Sequence, residues 1–178
     1  MNRKMTVLVL FVVGLVLASC SGLQQTKAPG YGDPPIITAS FCVDKGMYGD
    51  PIKIYLAAED THGDMDRIAV QVTQVGYGFY PTSWTVVKPR YQKKFVGYLQ
   101  WDTFSPGLQE MPEWTKITMN VTVLDKHGYQ SKAVVLPYTF VTGTSASPAL
   151  PPPFNQGEMF RIGWIDVELI NPQSGIIY

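Results

Sequence analysis

Residues 117–140 read ITMNVTVLDKHGYQSKAVVLPYTF. Ile117, Met119, Val121 and Val123 alternate with Thr118, Asn120 and Thr122, a period of two that puts the apolar side chains on one face of an extended strand. Val134, Leu136, Tyr138 and Phe140 repeat the pattern after Asp125-Lys126-His127-Gly128, residues that close turns. Two half-buried strands of this kind bury their shared apolar face against a further layer.

Working outward, the same period recurs. Ile52, Ile54 and Leu56 alternate with Lys53, Tyr55 and Ala57, and Ile68, Val70 and Val72 with Ala69, Gln71 and Thr73. Phe95, Gly97, Leu99 and Trp101 form a further alternate set. No window between Pro35 and Val141 carries a convincing helical period, and Gly or Pro interrupts most candidates. Around seven short strands in roughly 100 residues is the rhythm of an all-β, two-sheet sandwich.

The segment Val121-Thr122-Val123-Leu124-Asp125-Lys126-His127-Gly128-Tyr129-Gln130-Ser131 resembles the Val-x-Val-x-Asp-x-x-Gly-Asn-x-Ser hairpin joining the last two strands of immunoglobulin-like modules common in bacterial surface and periplasmic proteins. Tyr129 stands where Asn is usual. The resemblance implies an immunoglobulin-like β-sandwich, expected over residues 34–142. The Cys-Trp-Cys pattern of antibody domains is absent.

At the N-terminus, Arg3 and Lys4 precede an uncharged apolar run from Met5 to Ala18. The run is shorter than the roughly 20 residues a membrane-crossing helix needs and ends at Ser19-Cys20-Ser21-Gly22, the order of an export signal. Leu17-Ala18-Ser19-Cys20 resembles the lipobox of bacterial lipoproteins. That resemblance implies a signal peptide over residues 1–19, a diacylglycerol thioether on Cys20, and acylation (palmitate) of its freed amino group. At about 0.8 kcal/mol per buried methylene, two or three chains hold far better than one. The alternative is an ordinary signal peptide with a cysteine near its cleavage point. Ser21, where lipoproteins kept in an inner membrane often carry Asp, favours an outer membrane. Residues 20–33 then serve as a flexible tether reaching roughly 40 Å at about 3.3 Å per residue.

The chain has 14 basic and 14 acidic residues, and loss of Arg3 and Lys4 leaves it slightly acidic, so nucleic acid has no electrostatic footing as a partner. With Cys20 lipidated, the other cysteine, Cys42, has no partner in the chain. Its apolar neighbours Phe41 and Val43 point to burial, the alternative being an intermolecular bond.

Residues 143–178 begin with a Gly/Ser/Pro-rich linker through Pro151-Pro152-Pro153 and continue in an apolar, β-prone segment from Met159 to Ile170. Phe160, Ile162 and Trp164 lie on one alternate set, and the segment is expected to dock on its own domain rather than on a neighbour or a partner.

No phosphate-binding loop, zinc-protease His pair, serine nucleophile elbow or Cys-His pair occurs, so no enzyme is expected. His62 and His127 each adjoin Gly and are expected as exposed turn residues. In an immunoglobulin-like topology the loop carrying Asp60, Asp64 and Asp66 and the turn carrying Asp125 share one end, where convergent carboxylates suit calcium. Asp-Gly turn closure explains the same residues without a cation. Lys88-Pro89-Arg90-Tyr91-Gln92-Lys93-Lys94, the only basic cluster, is expected as a lysine-guarded edge strand, with contact to anionic lipid or polysaccharide as its functional alternative. Tyr77, Phe79, Tyr80 and Trp84, held by Gly and Pro, and Trp164 are the candidate partner-contacting aromatics. These features lead to a membrane-anchored, non-catalytic binding or adhesion module with an envelope protein or glycan partner. The alternative is a structural accessory subunit of a secretion, pilus or surface-layer assembly.

Overall fold

The computed structural model describes residues 32–104, 111–143 and 149–171, and ten strands lie among the described residues, the long ones built from alternating apolar side chains. The export signal, the lipobox and Cys20 lie outside the described residues, as do residues 144–148 of the linker. The strands are β1 (Ile36–Phe41), β2 (Lys45–Gly46), β3 (Pro51–Glu59), β4 (Met65–Gln74), β5 (Gly78–Phe79), β6 (Ser83–Val86), β7 (Lys94–Asp102), β8 (Lys116–Asp125), β9 (Val134–Phe140) and β10 (Phe160–Trp164). Among the described residues no helix is long and apolar enough to cross a membrane.

One sheet has the order β1-β3-β7-β10; the other has β2-β9-β8-β4-β5, with β6 also on β4. The N-terminal strand divides between them. β1 runs antiparallel to β3, and after a short break β2 runs parallel to β9 in the opposite sheet. The chain crosses between sheets again from β2 to β3, β3 to β4, β6 to β7, β7 to β8 and β9 to β10. This is the immunoglobulin-like, all-β sandwich expected from the hairpin.

The inner faces carry the residues that alternation selected. Ile52, Ile54, Leu56, Leu99 and Trp101 from one sheet meet Ile68, Val70, Val72, Ile117, Met119, Val121 and Val123 from the other. Burying each such side chain contributes about 1.5–3 kcal/mol, so this layer is the main source of stability.

The basic run departs from expectation. Pro89–Tyr91 form a 3-10 turn, and β7 starts only at Lys94, as an interior strand between β3 and β10. Pro89, with fixed φ and no amide hydrogen, suits the turn that returns the chain from one sheet to the other. Lys94 faces Glu59 of β3 at 3.5 Å.

The C-terminal segment docks on its own domain. β10 adds to β7 as a parallel strand, with a register shift between Arg161 and Gly163. That irregularity breaks the expected alternation: Ile162 and Ile165 are buried while Trp164 turns outward. Gly163 is required here, because a Cβ would lie 2.3 Å from Cγ2 of Thr85. Beyond β10, Leu169 is buried, the indole Nε1 of Trp101 donates to Val167 O (2.8 Å), and Asp166 N donates to Ser83 Oγ (2.9 Å).

Cys42 packs partly buried against the core. Burial, then the charge of Asp44, pushes its thiol up to about 12. A rise of this size lowers the thiolate fraction roughly a thousandfold at neutral pH. Labelling of the native protein with a thiol reagent at pH 8 is therefore expected to be slower than labelling of the unfolded chain by at least a hundredfold. Comparable rates would overturn the buried reading.

Candidate functional site

The ends of the strands define two poles. At the first, residues 32–35 lead into β1, β3 ends, β4 and β7 begin, and the β8–β9 hairpin turns. At the second lie the β4–β5 turn, the end of β7, the start of β8 and the end of β9.

The acidic loop sits at the first pole. Its backbone is tied down on both sides: Asp60 N donates to Lys93 O, Met65 N to Gln92 O, and Lys126 N to Asp64 O. The last bond joins the loop to the hairpin. Asp60 Oδ2 accepts from Gly63 N (2.6 Å) and Asp64 N (3.0 Å), closing the loop on itself. Asp125 Oδ1 accepts from His127 N and Tyr129 N, each 2.8 Å, across a turn where Gly128 adopts φ +86°. Asp64 Oδ2 lies 3.0 Å from His127 Nδ1. Burial raises the Asp64 pKa, with further upward contributions from a hydrogen bond to Asp60 and the charges of Asp60 and Asp125; His127 lowers it.

The four-Asp calcium grouping is not assembled as expected. Asp66 leaves it: a register shift between Met65 and Arg67 interrupts the ladder there, and its Oδ2 takes the Arg67 Nε at 2.8 Å. His127 joins instead, because the Asp125 cap on its own amide holds it beside Asp64. Beside the same loop a groove of about 480 Å³ runs between Pro34, Ile36 and the basic residues Arg90, Lys93 and Lys94.

The second pole is aromatic. Phe79 is 71% exposed and Tyr77 45%, as the Gly/Pro-held loop predicted. Tyr80 is a correction: it is buried, stacked on Tyr77, and its hydroxyl donates to Gln74 Oε1 and accepts from Ile170 N. The docked C-terminal segment covers it, which the local sequence does not reveal. Three further exposed residues end the same pole, Val75, Phe104 and Trp114. Trp114 has a φ of 67°, a left-handed conformation that a non-glycine residue adopts at a cost of order 1–3 kcal/mol. Its amide donates to Phe140 O, which fixes the loop. Isolated aromatics in loops carry no periodic signal, and Phe104 and Trp114 were not among the expected contact residues. Trp84 and Trp164 are half exposed on the flanks, on β6 and β10, under the guanidinium groups of Arg67 and Arg161 at 5.4 and 4.0 Å from their rings.

No protein-family model matches this chain, and no curated protein matches it. Among solved structures, the PKD domain of an M14-like peptidase from Thermoplasmatales archaeon SCGC AB-540-F20 is similar over 63% of this chain and 100% of its own, at 18% identity and a TM-score of 0.42.

Proposed function

We propose that this chain is a lipid-anchored, non-catalytic binding module of the bacterial envelope that presents an aromatic loop end to a protein or glycan partner. One observation carries the reading. Tyr77, Phe79, Phe104 and Trp114 are exposed together at the pole opposite the one where residues 32–35 lead into the sandwich. A lipid on Cys20 would attach at the first pole through the flexible tether. The ten residues of β8, at about 3.4 Å each, set the aromatic end roughly 30 Å from that attachment, free of it. Large rigid aromatics give contact area at small entropic cost, which is why they dominate binding hot spots.

Envelope extract passed over the immobilised domain tests this. A Phe79→Ala/Trp114→Ala variant is expected to lose at least tenfold in capture of the partner while its melting temperature stays within a few degrees, because both side chains are exposed. A Cys20→Ser chain, fractionated in parallel, is expected to leave the membrane fraction. Undiminished capture by the double variant would sink the aromatic surface; continued membrane association of the serine variant would sink the anchor.

A further inference from the structure

Two carboxyls, those of Asp60 and Asp64, come together at the first pole. Asp60 is 4% exposed; its Oδ2 is capped by backbone amides, but its Oδ1 is buried and accepts no hydrogen bond from any described residue. The Asp64 carboxyl lies within hydrogen-bond reach of Asp60. A buried acceptor oxygen without a partner is costly, and two carboxylates at this range call for a proton or a cation. On the other side of Asp64, one ligand atom from each of Asp64, Asp125 and His127 lies within 4.8 Å of the other two. Two carboxylates thus flank one imidazole, and Lys126 of the same turn donates to Gln92.

We propose that Asp64, Asp125 and His127 bind a divalent cation of the zinc class, with the buried Asp60 carboxyl beside Asp64. The donor set decides the class. Calcium takes six to eight oxygens, and with Asp66 paired to Arg67 and one oxygen each of Asp60 and Asp125 capped by amides, this pole cannot supply them from side chains. Two carboxylates and an imidazole suit a borderline ion that accepts four ligands, the remaining position being open to water. The His127 side chain is 45% exposed, so the small movement that closes the set disturbs no core packing. Asp125 and His127 are held in register by the same turn, which positions both donors before metal arrives.

The test is titration of the full chain with zinc chloride at pH 7.5, read by calorimetry and melting temperature, with calcium chloride in parallel. Zinc is expected to raise the melting temperature below millimolar concentration and calcium to leave it unchanged. His127→Gln is expected to weaken zinc binding at least tenfold while leaving the metal-free protein as stable as before. Asp64→Asn is expected to weaken binding likewise, and Cys42→Ser to bind zinc normally. No shift at millimolar zinc overturns the site, as does binding that survives His127→Gln, binding lost in Cys42→Ser, or a response to calcium below the concentration at which zinc acts.

Discussion

Trp101→Ala is expected to destabilise the protein by about 3–5 kcal/mol, the range for emptying a buried aromatic site, and to lower the melting temperature by roughly 10–20 °C for a domain of this size. Trp101 is fully buried on β7, in register with Ile52 of β3. Its ring belongs to the sandwich core, while its Nε1 donates to Val167 O in the segment beyond β10. The residue therefore links the core to the C-terminal segment, and two losses add in the alanine variant. Trp101→Phe separates them: it keeps most of the ring and removes the hydrogen bond, so an intermediate loss of about 1–3 kcal/mol is expected. Denaturant unfolding checks both. An alanine variant within 0.5 kcal/mol of the parent would show that the ring is not packed as described.

The strands that were legible in the sequence are those with one wet face. β3, β4, β7, β8 and β9 each carry apolar inner residues at every second position, and a period of two is visible in the sequence without its tertiary context. β2 and β5 are two residues long, too short to show a period. β10 was visible as an apolar alternation, but its register was not, because the irregularity beside Gly163 answers to the close approach of Thr85 on another strand. The site follows the same division. Asp-Gly chemistry and topology brought Asp60, Asp64 and Asp125 to one pole on paper. Which carboxylate turns away depends on the register shift at Met65/Arg67, and the arrival of His127 depends on a two-residue cap by Asp125. Tyr80 was misplaced for a long-range reason, since its hydroxyl is bonded to Ile170, 90 positions away.

That long-range bond leads to the second large effect. Deleting residues 148–178 is expected to leave a chain that melts more than 20 °C below the parent or fails to fold cooperatively at 25 °C. Phe154, Ile162, Ile165 and Leu169 are buried in the full chain. At about 1.5–3 kcal/mol each, their burial is of the order of the whole stability of a domain, about 5–15 kcal/mol. The entropy recovered by freeing the segment offsets part of this. It does not offset the damage left in the body of the sandwich. Truncation uncovers apolar surface on Trp101 and Tyr80, and it strips partners from Trp101 Nε1, Ser83 Oγ, the Tyr80 hydroxyl and Gln74 Nε2, which donates to Ile170 O at 2.9 Å. A synthetic peptide of residues 148–178 added to the truncated chain is expected to restore part of the lost melting temperature in a concentration-dependent way, because binding to the folded form alone stabilises it by mass action. If the truncated chain instead melts within two degrees of the parent, the segment belongs to a partner's surface rather than to this core, and the exposed aromatic pole would have to be redrawn to include Tyr80.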